Sequence, residues 1–161
     1  KIGLSFMKYW LMKSEPDVYS IDHLAGQEKK TDYWDGIRNY QARNFIRDDM
    51  SAGDLAFFYH SNCNEPGVVG IIEIVRSAYP DHTAFDPEEK YFDPKSDPDH
   101  PRWFMVDVRL KKKFRRGVAL KDIRAQKKLE KMRLVQKGNR LSILPVAKVE
   151  WNHILRMTGE G

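Results

Sequence analysis

Apolar and polar positions alternate along much of this chain, and the period of the alternation separates strands from helices. Short apolar or alternating runs that are bounded by turn-forming residues predict β-strands. Such runs cover residues 9–13, 55–60, 68–75, 103–110 and 142–146. In the fourth run every even-numbered position from Phe104 to Leu110 is apolar, so this strand presents one apolar face to a core.

Capping residues and a helical period predict several short helices between these strands. Ser20 is placed to cap a helix over residues 21–25, and Gly26 is placed to end it. Asn39 is placed to cap a second helix with an apolar face. Further helices are expected around residues 120–123, over residues 129–138 and around residues 151–155.

Five prolines lie in residues 80–101, which predicts a long ordered loop rather than a helix or strand. Loops of this length inside a compact domain tend to be lids or binding loops. Strands whose partners are distant in the sequence, combined with flanking helices, predict an α+β barrel.

The composition narrows the chemistry. At 161 residues and 41% apolar content the chain can bury one sizeable core. The single cysteine, Cys63, excludes an internal disulfide framework and a zinc site built on paired cysteines. The five histidines are scattered, so we expect no metal and no cofactor. No membrane-spanning run and no signal-peptide pattern is present, so we expect a cytosolic protein without a membrane partner.

The expected organisation is one domain over residues 7–157 with a tail at residues 158–161. Residues 1–6 precede Met7, which has the position of a natural start, so they are expected to be an expression remnant or an upstream extension. The sequence favours a monomer but leaves the oligomeric state open.

Charge is divided unevenly along the chain, whose formal net charge is +5. Residues 111–140 hold thirteen Lys and Arg against two acids, and residues 80–101 hold seven acids against two lysines. Dense cations attract nucleic-acid phosphates. The expected backbone-binding basic face comprises Lys111, Lys112, Lys113, Arg115, Arg116, Lys127, Lys128 and Lys131. A solvated surface that keeps the protein soluble is the alternative.

Residues 34–45, WDGIRNYQARNF, combine flat rings, planar amides and guanidinium groups just ahead of the apolar run at 55–60. These side chains stack on a nucleobase and hydrogen-bond its edge, which is the chemistry of a base-binding pocket. An aromatic core cluster beside a solvated helix uses the same residue types and is the alternative.

Several ungapped motifs, in this order, resemble the EVE domain, a member of the PUA-like group that also contains the YTH and ASCH domains. The motifs are YWLMKSEP at 9–16, WDGIRNYQARNF at 34–45, FFYHSN at 57–62, PGVVGI at 66–71, YPDHTAF at 79–85, YFDPKS at 91–96 and RLSILPV at 140–146, together with residues 101–108. The resemblance implies a curved PUA-like β-barrel flanked by helices. It also implies a cleft that accepts a modified, flipped-out base, with a modified cytosine in DNA as the favoured ligand.

The family's site motifs fall on twelve residues of this chain: Lys13, Ser14, Glu15, Trp34, Arg38, Asn39, Tyr59, His60, Ser61, Asn62, Lys95 and Ser96. The Trp34 ring is expected to stack on the base, with core packing as its alternative. Asn39 and Asn62 offer paired donors and acceptors for a base edge, although Asn39 also suits the helix cap. Arg38 can bind a phosphate or a carbonyl.

The remaining pocket residues have weaker assignments. Ser14 and Ser61 can donate to ring nitrogens or carbonyls, and capping a loop is their alternative role. Lys13 and Glu15 lie two residues apart and so share a face if the strand continues, where they can also form a salt bridge.

Other functions stay open at this point. The alternatives are a modified-RNA binder of YTH type and a nucleoside hydrolase of ASCH type, in which Lys13 and Glu15, or Cys63 with His60, do the chemistry. A module that binds an acidic protein through the basic face is a further alternative. The expected partner is nucleic acid with a modified base, DNA rather than RNA. The expected location is the cytoplasm of a bacterium or the nucleus of a eukaryote.

Overall fold

The computed structural model describes residues 6–160, which contain six strands and four α-helices. The strands are β1 Tyr9–Ser14, β2 Thr31–Trp34, β3 Leu55–His60, β4 Gly67–Pro80, β5 Phe104–Ala119 and β6 Ile143–Val146. The helices are α1 Ile21–Ala25, α2 Tyr40–Asn44, α3 Leu120–Arg124 and α4 Lys148–Thr158. A π-helical turn at Phe45–Asp49 continues α2, and 3₁₀ turns cover Glu28–Lys30, His82–Ala84, Lys127–Leu129 and Arg133–Val135. Of the expected leading extension, residues 1–5 lie outside the described residues.

All six strands form one mixed sheet in the order β2-β5-β4-β3-β1-β6. β1 runs parallel to β3, and the other neighbouring pairs are antiparallel. The expected α+β class is therefore confirmed. The expected closure into a barrel is not found within residues 6–160, because no ladder joins the two edge strands β2 and β6.

The parallel pairing of β1 with β3 sets the geometry of one end of the sheet. The register runs from Tyr9 opposite Leu55 to Ser14 opposite His60. Parallel strands end at the same edge, so the residues that follow β1 lie beside those that follow β3. A backbone hydrogen bond from the Ser61 N–H to the Ser14 carbonyl, at 3.0 Å, continues the pairing past the strands.

Alternation along β1 and β3 supplies two cores, one on each face of the sheet. Met12 and Phe58 belong to the core beneath α1 and α2. Leu11 and Phe57 belong to the opposite core, where the Trp151 ring of α4 stacks on Phe57 with centroids 3.8 Å apart. Burying a side chain of this size contributes roughly 1.5–3 kcal/mol, so both faces of the sheet are firmly held.

The fourth predicted helix and the fourth predicted strand, which is β5, differ from their predictions. β5 continues through the exposed lysines to Ala119, because Phe114 and Val118 are buried and keep the strand paired with β4. A Cβ at Gly70 of β4 would lie 2.4 Å from the Lys112 carbonyl oxygen, so glycine permits this close approach. The helix expected over residues 129–138 is replaced by a 3₁₀ turn at Arg133–Val135. The strand β2 was not predicted from the sequence.

Within residues 6–160 no helix combines the length and apolarity that crossing a bilayer requires.

Candidate functional site

A cleft of about 930 Å³ opens where β1, β2 and β3 end. Its walls come from five parts of the chain that the fold brings together. The lining residues are Lys13, Ser14, Glu15, Val18, Tyr19, Asp32, Tyr33, Trp34, Asp35, Gly36, Ile37, Ser61, Asn62, Tyr91, Asn139, Arg140 and Ser142. Six of the twelve predicted pocket residues, namely Lys13, Ser14, Glu15, Trp34, Ser61 and Asn62, therefore line one cleft.

The ends of β1 and β3 form the first wall, and local hydrogen bonds fix it. The Ser14 hydroxyl donates to the Tyr19 carbonyl oxygen at 2.6 Å, so this serine ties down the loop after β1. The Asn62 side-chain amide donates to the Glu15 carboxylate at 3.2 Å. Asn62 has a φ of 53°, a left-handed conformation that asparagine adopts more readily than most residues. Backbone pairing and these bonds hold the polar groups of this wall in register.

Trp34, at the end of β2, lies between the core and the cleft. Its side chain is only 7% exposed and packs edge to face with Phe58, with centroids 5.3 Å apart. The core-packing alternative is thus part of its role, while its remaining surface borders the cleft. Tyr33, 40% exposed, and the half-buried Tyr91 add two more rings to the same cavity.

Acidic groups form the floor beside Trp34. The Tyr19 hydroxyl donates to the Asp32 carboxylate at 2.6 Å. Burial, followed by the negative charge of Asp81, raises the pKa of Asp35. Burial, followed by the charges of Asp35 and Asp32, also raises the pKa of Tyr33. The tyrosines here are neutral donors, and Asp35 takes up a proton more readily than an ordinary aspartate.

Two cations face these acids across the cleft. Burial lowers the pKa of Lys13, whose Nζ lies 5.9 Å from the centroid of the Tyr59 ring. Arg140 is exposed at the rim, next to the lining residues Asn139 and Ser142. A ligand with an anionic group can approach on this side.

Arg38 lies behind the cleft and holds the loop of residues 81–103 in place. Its guanidinium donates to Asp81 Oδ2 at 2.9 Å and twice to the Tyr91 carbonyl oxygen, at 2.9 and 2.6 Å. Burial opposes ionisation of Asp81, but hydrogen bonds from Thr83, the Gly36 N–H and Arg38 outweigh it and lower the pKa of this carboxyl. The ion pair therefore positions Tyr91 rather than touching the cavity.

Five further predicted residues lie away from the cleft lining. Asn39 caps α2, since its side-chain oxygen accepts from the Ala42 N–H at 3.0 Å. His60 Nε2 accepts from the Ile21 N–H at 3.1 Å, which occupies the ring nitrogen that a Cys63 nucleophile would need as a base. Tyr59 is buried in the core beneath α4, and Lys95 and Ser96 lie in the 81–103 loop.

The predicted basic face divides into two groups. Lys111 lies 3.8 Å from Glu73, Lys112 lies 3.7 Å from Glu160, and Lys113 lies 2.5 Å from Asp22. The exposed Arg115 and Arg116 follow on the same strand. Lys127, Lys128 and Lys131 are exposed in or just after a 3₁₀ turn, and no salt bridge joins them to another described residue.

Sequence reasoning missed several lining residues, above all Asp35, Tyr91 and Arg140. All three lie within motifs that carry the resemblance, WDGIRNYQARNF, YFDPKS and RLSILPV, so their positions were visible although their roles were not. Tyr91 belongs to the proline-rich segment, and only the fold brings that loop to the sheet. Among the described residues no cluster of His, Cys, Asp and Glu could hold a metal ion.

Comparison with known proteins gives consistent matches. The model of the EVE domain family matches residues 8–157. Thymocyte nuclear protein 1 of Mus musculus is 42% identical over 172 residues, which cover 96% of this chain and 75% of that protein.

Solved structures match over nearly the whole chain as well. The structure of a hypothetical protein from Leishmania major has a TM-score of 0.91 and 47% identity, covering 96% of each chain. The crystal structure of human THYN1 protein in complex with 5-methylcytosine containing DNA has a TM-score of 0.90 and 42% identity, covering 96% of this chain and 99% of that one.

Proposed function

This chain belongs to the EVE domain family, and from that premise we propose that it reads DNA by holding a modified cytosine, turned out of the base stack, in the cleft. The family membership confirms the resemblance found in the sequence motifs. The observation that carries the proposal is the human structure with 5-methylcytosine containing DNA, which matches 96% of this chain with a TM-score of 0.90.

The cleft suits a flipped base in size and chemistry. Pockets that accept such a base combine aromatic or apolar walls with groups that bond the Watson–Crick edge. The cavity of about 930 Å³ has four aromatic side chains, Tyr19, Tyr33, Trp34 and Tyr91, beside carboxylates, amides and hydroxyls. It lies within the size range typical of small-ligand sites. One planar heterocycle and part of its sugar can enter it.

The twelve predicted residues then differ in role. Lys13, Ser14, Glu15, Trp34, Ser61 and Asn62 line the cleft and act on the base directly. Arg38, Asn39 and His60 act by positioning, because each holds a backbone segment next to the cleft. Tyr59, Lys95 and Ser96 do not line the cleft: Tyr59 packs in the core beneath α4, and Lys95 and Ser96 lie in the 81–103 loop.

The phosphate backbone is expected to meet Arg140 at the rim and the unpaired lysines of the basic face. Each phosphate contact steepens the salt dependence of binding without reading sequence. Replacing Lys127, Lys128 and Lys131 together with Gln should flatten the plot of log Kd against log salt by about one unit per lost contact. Replacing the paired Lys111, Lys112 and Lys113 together with Gln is the matched comparison and should change the slope less. Equal slopes for both variants would remove this assignment.

The base preference is tested by titrating matched duplexes that differ at one position: cytosine, 5-methylcytosine, 5-hydroxymethylcytosine or N6-methyladenine. A modified cytosine should bind tightest. Trp34→Phe, which keeps a core ring, should weaken that preference, and thermal melting confirms that the variant is folded. Equal affinity for all four duplexes would overturn the proposal.

A reader predicts saturable binding without turnover, whereas the hydrolase alternative predicts a released product. Chromatography of modified nucleosides after incubation with the protein distinguishes a reader from a hydrolase. A hydrolysis product that forms with the wild type but not with Cys63→Ser would favour the hydrolase. Titrating RNA with the same modifications tests the YTH-type alternative. With a DNA partner, we propose that the protein is located in the cytoplasm of a bacterium or the nucleus of a eukaryote.

A further inference from the structure

Building on the proposed function, we propose that Asp35 selects cytosine by sharing one proton with ring nitrogen N3 of the bound base. Asp35 was not among the residues expected from the motifs. It borders the cleft directly after Trp34, so the ring wall and the carboxyl belong to consecutive residues.

The backbone around Asp35 is anchored on both sides. Trp34 ends β2 and is fixed by pairing with Val106 of β5. Gly36 has a φ of 81°, and its N–H donates to Asp81 Oδ2 at 2.9 Å. A Cβ at Gly36 would lie 2.7 Å from the Tyr91 ring, so the loop packs directly on this turn. The backbone of Asp35 is thus held at a fixed place relative to the rings that would flank a base.

The charged and titratable groups around Asp35 favour a proton on its carboxyl. Burial and the ionised Asp81 raise its pKa, and Arg38 and Thr83 oppose them only in part. The Arg38 guanidinium is directed at Asp81 and the Tyr91 carbonyl, and the Thr83 hydroxyl donates its one proton to Asp81 at 2.5 Å.

The two tyrosines that face Asp35 do not compete for that proton. Tyr19 and Tyr33 are held neutral, since burial and nearby acids raise the pKa of both hydroxyls. His82 stacks edge-on against Tyr33 with centroids 5.2 Å apart. Across the cleft lie Lys13, Glu15 and Arg140, on elements separate from β2.

This arrangement matches the edge of cytosine. Cytosine presents the N4 amino group, a donor that Asp accepts from in known base contacts, next to the basic acceptor N3. One proton taken up from solvent forms an O–H bond on Asp35 and is shared with N3, so both carboxyl oxygens are bonded to the base and no bond between heavy atoms changes. Thymine presents O4, which is not basic, and N3–H instead. The C5 methyl lies off this edge, so Asp35 selects the base and not its methylation.

The test compares Asp35→Asn with the wild type on duplexes carrying 5-methylcytosine or thymine at the same position, between about pH 5.5 and 8.5. Wild-type affinity for 5-methylcytosine should fall by up to about tenfold per pH unit, because binding takes up one proton. The Asn amide supplies a donor and an acceptor without titrating. The variant should therefore keep its cytosine affinity, lose the pH dependence, and accept thymine nearly as well by rotating the amide.

A matched control and a ligand-side test complete the experiment. Asp49→Asn changes an exposed carboxylate outside the cleft and should retain the wild-type pH slope. A duplex with 3-deazacytosine, which lacks the N3 acceptor, should bind the wild-type protein without pH dependence, and this measurement does not rely on a folded variant. The inference would be overturned if affinity fell with pH as steeply for Asp35→Asn, and for the wild type with 3-deazacytosine, as it does for the wild type with 5-methylcytosine. That result would leave the reader function intact. Equal binding of all duplexes by the wild type would instead remove the proposed function itself.

Discussion

The cleft has two walls that the fold holds in different ways. The sheet wall, formed by Lys13, Ser14, Ser61 and Asn62, follows from the parallel pairing of β1 with β3, which extends over six residue pairs. The loop wall, formed by Tyr91 against Gly36, depends on the side chain of Arg38. Ladder bonds support one another, whereas among the described residues the Tyr91 carbonyl oxygen accepts hydrogen bonds from the Arg38 guanidinium alone. Point changes should therefore disturb the loop wall far more than the sheet wall.

The largest effect is expected for Arg38→Ala. The change leaves the fully buried Asp81 carboxylate without its cation, and breaking a buried pair from one side costs about 3–5 kcal/mol. Because Gly36 and Thr83 still donate to Asp81, we expect a loss of about 3 kcal/mol in the free energy of unfolding, measured by urea denaturation. Binding of the modified duplex should weaken as Tyr91 loses its anchor.

Arg47→Ala is the matched control for this change. Arg47 pairs with Asp48 at 2.7 Å, but both side chains are at least 41% exposed, so water replaces the lost contact. Its denaturation midpoint should stay within error of the wild type. Similar midpoints for the two arginine variants would mean that the loop wall does not rest on Arg38.

The next effect in size is expected for Gly36→Ala. Its φ of 81° is unfavourable for alanine, which costs roughly 1–2 kcal/mol, and the new methyl would also meet the Tyr91 ring at 2.7 Å. The loop must then shift as well, so the total loss of unfolding free energy should exceed the backbone cost alone. Urea denaturation measures the loss, and the Kd for the modified duplex should rise with it.

Gly138→Ala separates the two causes. Gly138 has a φ of 80°, nearly that of Gly36, but nothing lies within 4 Å of a Cβ built there. This variant should therefore show the backbone cost without the displacement of Tyr91. If both glycine variants lose the same stability and bind DNA equally, contact between Gly36 and Tyr91 does not shape the cleft.

The difference between the walls also explains what the sequence could predict. The runs that form β1 and β3 were assigned from apolar pattern alone, and the capped starts of α1 and α2 followed from Ser20 and Asn39. Local rules suffice there because caps and alternation act within a few residues. The strands of the sheet wall were consequently within reach, whereas it was the family resemblance that placed Ser14 and Asn62 in the pocket.

The loop wall depends on contacts that no local rule contains. The Arg38 guanidinium donates to the carbonyl oxygen of Tyr91, 53 residues away. The motif suggested that Arg38 contacts a ligand, but only the fold shows that its guanidinium holds the loop that carries Tyr91. β5 is also longer than the sequence predicted. Its lysines have the composition of a solvated surface, and only the pairing with β4 extends the strand through them. Partners distant in the sequence, rather than local residue preferences, determine both the role of Arg38 and the length of β5.

The smallest effect is expected on the sheet wall, at Asn62. Asn62→Gly removes the amide that donates to Glu15 but tolerates the φ of 53°, so stability should change by no more than about 0.5 kcal/mol. Asn62→Ala removes the same amide and adds a left-handed alanine, which should cost roughly 1 kcal/mol. If the amide reads the base, both variants lose the same affinity for the modified duplex although their urea midpoints differ. An affinity loss confined to Asn62→Ala would instead show that Asn62 serves the backbone alone, and that the sheet wall reads the base through its other polar groups.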